Sequence, residues 1–191
     1  MIAVEQTVLI LLAAGRSGRF GNVDKLTEPF LGRPLALHVV TALEDVPFMA
    51  RIVVKNGTDL DFESLGYRVI HNERPEIGMS ESLKLGVAEA RDAGAAAVLI
   101  ALADMPRVTA THIYRLLDAA DSADAVIASS DGETPSPPAI FGADRFAELL
   151  ELDGDEGARH LVRAGRHVVT TPTELLDIDT PADLAKLRAF R

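Results

Sequence analysis

The sequence contains no cysteine and no tryptophan. Without a thiol it can form no disulfide, zinc ribbon or cysteine-ligated iron–sulfur cluster, and it has no thiol nucleophile. Such a chain suits a reducing, cytoplasmic setting. Basic residues are scarce as well: 19 Lys+Arg stand against 29 Asp+Glu, a formal net charge of −10. That deficit argues against nucleic acid and anionic membranes as partners, since both call for broad basic surface. Long apolar runs are missing too. Val8–Ala14 is too short to span a bilayer and lacks a basic flank, and Ala93–Ala103 is interrupted by Gly94. No internal repeat with a period of about 20–50 residues is visible.

What is present is a chain of 191 residues, 48% of them hydrophobic, which predicts one compact domain over 1–191 with an ample core. The negative charge is uneven. Eleven acids and one base, Arg145, fall between Asp118 and Glu156, giving 1 − 11 = −10, while the remainder sums to 18 − 18 = 0. A solvated acidic face is the plain reading of that stretch.

The pattern alternates strand and helix. Continuous aliphatic runs at Thr7–Leu12 and Ala96–Leu102 predict strands buried on both faces, with further strands at Arg51–Lys55, Tyr67–Ile70 and Ala125–Ala128. Helical spacing begins near Leu35, spans Ser80–Arg91, and recurs at Ile113, Leu116, Leu117 and Ala120, with Thr109 or Thr111 as N-cap. Asp131–Pro138 predicts a connection, with Ala139–Phe141 returning as strand. Arg145–Leu150 and Ala158–Arg163 predict helices, and His167–Thr170 and Leu175–Ile178 short strands. Thr180-Pro181-Ala182-Asp183 opens a last helix. This order predicts an α/β fold with a mostly parallel sheet and helices on both faces. Such sheets bind ligands at the carboxyl ends of their strands. Ala13–Lys25, Asn72–Ser82 and Ala103–Pro106 all fall there.

The stretch Leu12-Ala13-Ala14-Gly15-Arg16-Ser17-Gly18-Arg19-Phe20-Gly21-Asn22-Val23-Asp24-Lys25-Leu26 combines glycines, backbone donors and three cations just past a buried strand. Phosphates are held by such groups. It is neither a Walker A loop nor a dinucleotide fingerprint, because Phe20 and Ser17 stand where those motifs need other residues. Asp104 follows a buried strand and precedes Pro106, as a metal carboxylate or a turn former. Asp179 precedes a helix start, as a second metal carboxylate or a cap. Ser80 and Ser82 begin a helix, where capping is the alternative to ligand contact. None of the five histidines shows metal-ligand spacing or a partner acid.

Taken in order, these segments resemble the nucleotidyltransferases that attach a nucleotide to molybdopterin, and within them the molybdenum cofactor cytidylyltransferases. The resemblance rests on Leu12–Leu26, on Gly78-Met79-Ser80-Glu81-Ser82-Leu83 and on Ala103-Asp104-Met105-Pro106. It continues through Gly154-Asp155-Glu156-Gly157-Ala158-Arg159 and Asp177-Ile178-Asp179-Thr180-Pro181. It implies a three-layer Rossmann-like nucleotidyltransferase fold with a nucleotide-binding N-terminal part and an acceptor-binding C-terminal part. It further implies transfer of CMP from CTP to molybdenum–molybdopterin, with pyrophosphate released and no covalent enzyme intermediate. Leu12, Ala13, Ala14 and Gly15 would contact the base and ribose, with Arg16, Asn72, Ser80 and Ser82 assisting nucleotide binding. Arg19 and Lys25 would act on the triphosphate, and Asp104 and Asp179 would hold Mg²⁺. Ala14 stands where guanylate-transferring relatives tend to have Gly, which favours the smaller base. Ser136-Pro137-Pro138 departs from the usual Gly-x-Pro on the acceptor side. Two alternatives remain open: a phosphorylated acceptor of another kind, or a cofactor chaperone serving a client molybdenum hydroxylase. The acidic stretch would then meet a basic patch on that client.

Overall fold

A computed structural model describes residues 2–14, 20–21, 23–154 and 157–189. Its frame is a seven-stranded sheet. β1 (Thr7–Ala13) lies between β4 (Ala50–Lys55) and β6 (Ala97–Leu102), parallel to both, and β5 (Arg68–His71) extends the parallel side beyond β4. On the other flank β8 (Pro135–Gly142) runs antiparallel to both β6 and β7 (Val126–Ser130), and β9 (Arg166–Val169) closes the edge parallel to β7. The order is β5-β4-β1-β6-β8-β7-β9. The chain leaves β1 toward β4 and β5, then crosses back to β6. The sheet therefore switches direction between β1 and β6, where open α/β sheets form their ligand crevice.

The central strands read as unbroken apolar runs because helices cover both faces. Side chains of a strand alternate between faces. Leu9 and Leu11 join Val53 and Leu99 beneath α1 (Ala36–Ala42) and α3 (Ala110–Ala119). Val8, Ile10 and Leu12 join Ile52, Val54 and Val98 on the opposite face. That face is covered by α2 (Met79–Asp92), α4 (Phe146–Leu150) and α5 (Arg159–Ala164). Gly86 permits the α2 contact, since a Cβ there would come within 2.6 Å of Ile10 Cγ2. Thr109 caps α3 by accepting from the His112 backbone N–H.

Two expectations change. Leu175–Ile178 is not a strand; turns occupy 172–175, and the segment is tied to the sheet end by the Ile178 N–H donating to the Asp104 carbonyl. β8 begins at Pro135, earlier than Ala139, because Ser129 and Ser130 extend β7 and continue the pairing beyond an irregularity at Ala128/Ser129. A small hairpin, β2 (Pro29–Phe30) with β3 (Arg33–Pro34), is an addition. α6 (Pro181–Ala189) packs Leu184 and Leu187 against Phe30 and Leu35 beside it. Thr180 and Asp183 cap α6 reciprocally: Thr180 N–H donates to Asp183 Oδ2, and Asp183 N–H to Thr180 Oγ1.

Candidate active site

Three connections at the carboxyl ends of β1, β5 and β6 meet on one edge, as the order of elements predicts. Between them lies a cleft of about 260 Å³. The end of β1 supplies Leu12, Ala13 and Ala14, and the following turn supplies Lys25 and Leu26. The opposite wall is Gly78, Met79 and Ser82 at the start of α2, and Asp104 closes the end of β6. Gly78 turns the chain into α2 at φ 109°, a conformation that side-chain-bearing residues rarely adopt.

Lys25 is the electrostatic centre. It sits in a short 3-10 turn (Lys25–Thr27), whose N-cap Asp24 accepts from the Leu26 backbone N–H. Its Nζ donates to Asp104 Oδ2 at 2.6 Å and to Asp179 Oδ1 at 3.2 Å, with only 8% of the side chain exposed. Burial is the largest single influence on this ammonium and lowers its pKa. Asp104 and Asp179 together outweigh it and leave the net shift upward. Asp177, two residues before Asp179, shares this corner. Its carboxyl is pushed up by burial first, then by the charges of Asp104 and Asp179.

Residues 79 positions apart in one case and 154 in the other are thus brought together by one ammonium. Among the described residues no group of three or more His, Asp or Glu forms a ready metal cage. A hard dication that retains waters and takes substrate phosphates needs only one or two carboxylates. The second oxygen of Asp104, Oδ1, is buried without a hydrogen-bond partner among the described residues, which fits such an ion.

The remaining sequence candidates separate. Leu12, Ala13, Ala14 and Ser82 line the cleft directly. Asn72 is buried behind it: its Nδ2 donates to Ser82 Oγ at 2.9 Å, and its Oδ1 accepts from the Arg74 backbone N–H. It orients Ser82 and does not line the cleft itself. Ser80 is fully buried, its N–H donates to the Gly154 carbonyl, and its Oγ has no partner among the described residues. It is not a side-chain cap, since α2 has none. Gly15, Arg16 and Arg19 lie outside the described residues.

A second cleft, about 440 Å³, opens from the first. Leu12, Met79, Leu102 and Asp104 belong to both, so Asp104 stands at the junction. It is lined by Thr134 and the first residues of β8, Pro135 to Pro137, by Arg159 and Arg163 of α5, and by Asp177 and Asp179. Ser129 Oγ anchors the β8 wall by donating to the Pro138 carbonyl at 2.7 Å. Because that hydroxyl proton is used, Ser129 accepts from His112 Nε2–H at 2.8 Å. His112 then carries a proton on Nε2, with Nδ1 buried and unpartnered among the described residues. Burial, foremost, holds its pKa below the ordinary imidazole value, opposed by Glu174 and aided by Arg115. Asp177, Arg159, Arg163 and the His112–Ser129 pair were not singled out by sequence. Two of these positions carried a signal: Arg159 at the end of the Gly154–Arg159 segment and Asp177 at the start of the Asp177–Pro181 segment.

No helix among the described residues is long and apolar enough to cross a membrane. In the acidic stretch, Asp121 pairs with Arg166, Asp124 accepts from Ser122, and Asp131 accepts from the N–H groups of Glu133 and Thr134. Several of these acids thus shape turns and local contacts.

The architecture recurs in known proteins. Rv0371c of Mycobacterium tuberculosis H37Rv superposes with a TM-score of 0.80 at 24% identity, over 97% of this chain and 100% of that one. A structure of that protein is a complex with manganese. At this identity the likeness is one of fold. In sequence, the purine catabolism protein PucB of Bacillus subtilis (strain 168) is 30% identical over 94% of each chain. A molybdenum cofactor guanylyltransferase of Cereibacter sphaeroides is 30% identical over 95% of each. This similarity reaches the family and leaves the nucleotide base open. The family model of the MobA-like NTP transferase domain matches residues 9–169, which include Lys25, Asp104 and the smaller cleft, and the chain belongs to that family of nucleotidyltransferases.

Proposed function

We propose that the protein transfers CMP from CTP to molybdenum–molybdopterin, releasing pyrophosphate and forming the cytosine dinucleotide of the cofactor. The observation that carries this reading is the pair of joined clefts with Asp104 at their junction and Lys25 beside it. The smaller cleft, edged by Leu12, Ala13 and Ala14, takes the nucleotide. The larger takes the phosphorylated acceptor.

In the reaction an oxygen of the acceptor phosphate forms a bond to the α-phosphorus of the nucleotide. The bond from that phosphorus to the bridging oxygen breaks, and pyrophosphate leaves with the electron pair. Negative charge grows on the leaving group and the equatorial oxygens. Lys25 holds a fixed positive charge at that place, and Arg19 adds a multidentate donor. Asp104 and Asp179 are the carboxylates that would hold Mg²⁺, which supplies further charge stabilisation when bound. A protein of the same fold is known as a complex with manganese, in keeping with a divalent ion in this fold. The chain's own contribution is positioning two anionic substrates that otherwise repel.

CTP is favoured by Ala14, whose methyl group borders the smaller cleft and reduces room for a purine. GTP is the second reading, favoured by the relatives named as guanylyltransferases. Delivery of the product to a client molybdenum hydroxylase is the partner role consistent with this chemistry. The test is pyrophosphate release with CTP or GTP, Mg²⁺ and molybdenum–molybdopterin. Turnover with CTP supports the proposal, preference for GTP transfers it to the second reading, and no turnover with either rejects both.

A further inference from the structure

The larger cleft is lined by charges of both signs: Asp104, Asp177 and Asp179, and from α5 Arg159 and Arg163. The two arginines are four residues apart, one helical turn, so their stems emerge on the same face. Neighbouring Leu161 and Val162 point inward and hold α5 to the sheet. Neither arginine makes an ion pair or hydrogen bond with any described residue, although the chain has an excess of acid. Elsewhere cations find partners: Arg68 with Glu89, Arg74 with Glu81, Lys84 with Asp153, and Arg166 with Asp121. Among the described acids, Glu148 lies beside His160 of α5 and pairs with Arg145, and Asp153 pairs with Lys84.

Two like charges one turn apart repel each other and weaken a helix. Their combined field suits a dianion, and two guanidinium groups can share the three oxygens of one phosphate. The lining of the cleft also includes the apolar residues Leu12, Ile100 and Leu102. A ligand that fits has a flat or apolar body and one doubly charged end.

We propose that Arg159 and Arg163 form the phosphate-binding pair of the acceptor subsite, which selects acceptors bearing a terminal phosphomonoester. This rests on reading the larger cleft as the acceptor site. The pair binds the dianion before transfer and presents one of its oxygens to the nucleotide at the Asp104 junction. Substrates lacking the phosphate then lose both the nucleophile and the anchor.

The test is calorimetric titration of methyl phosphate into the full chain saturated with CTP and Mg²⁺. The comparison is between wild type, the double variant Arg159→Ala/Arg163→Ala, and Arg163→Lys. Both arginines are exposed, so the variants should melt like wild type. The expected result is methyl phosphate affinity reduced about tenfold or more in the double variant and partly retained in Arg163→Lys, with CTP affinity unchanged. Equal methyl phosphate affinity in wild type and double variant overturns the proposal, as does failure of wild type to bind it. If CTP itself does not bind, the nucleotide reading fails separately. The methyl phosphate titration without nucleotide then still decides for or against the arginine pair.

Discussion

At the scale of single residues the account turns on Lys25. A nearly buried ammonium stays charged only because carboxylates lie within reach, and Asp104 at 2.6 Å is the nearer. Asp104→Asn keeps the shape and removes the charge. With Asp179 still in place, the expected loss of stability is about 2 kcal/mol, read by urea denaturation. Turnover should fall about a hundredfold or more. Wild-type turnover in that variant would take Asp104 out of the reaction. Ala14→Gly removes one methyl from the smaller cleft and should move the CTP-to-GTP ratio of kcat/KM toward GTP by about tenfold. An unchanged ratio would show that Ala14 does not select the base. Leu12, Ala13, Ala14 and Asp104 were legible because each lies at or just past the end of a recognisable buried strand, and Lys25 because it is a cation in the glycine-rich stretch after β1. Arg163 was not, and Asp177 was visible only as the opening of the Asp177–Pro181 segment, with no role. A carboxylate or an arginine on a short segment looks like surface until the fold shows what it faces.

At the scale of elements, hydrophobic periodicity located the central strands and α2 to within a residue or two, because both faces of the sheet are covered. It missed the β2–β3 hairpin, whose turn is Leu31-Gly32 and carries no Asn-Gly or Asp-Gly signal; Leu31 itself adopts φ 45°. It read Leu175–Ile178 as strand from its apolar residues, yet Ile178 is spent on packing against Leu184 and Leu187 of α6. That same placement carries Asp177 and Asp179 to the active-site edge. Two substitutions test how the elements are joined. Gly86→Ala forces a Cβ against Ile10 and should cost about 1–3 kcal/mol, measured by thermal or denaturant unfolding. A neutral result would mean that α2 can shift off β1 freely. Ser129→Ala leaves His112 Nε2–H and the Pro138 carbonyl unpaired and should also cost about 1–3 kcal/mol. If stability is unchanged, the His112–Ser129 link does not secure the β8 wall.

For the whole molecule, charge and protonation set the working range. His112 has a folded pKa below its ordinary value of 6.5, so as pH falls the unfolded chain takes up this proton first. Its contribution is fully present above about pH 6.5 and is lost progressively below, as the folded group resists protonation. Stability measured from about pH 7 down to 5 should therefore decline, and His112→Gln should flatten that part of the curve. Identical slopes in the two proteins would contradict the buried neutral imidazole. The net charge of −10 argues against broad polyanion binding and is compatible with small phosphorylated ligands at Lys25. The central claim is nucleotidyl transfer at the junction of the two clefts. Pyrophosphate release in the presence of Mg²⁺ and molybdenum–molybdopterin measures it most directly. The account predicts release with CTP exceeding that with GTP and abolished by Asp104→Asn; absence of release with either nucleotide would contradict it.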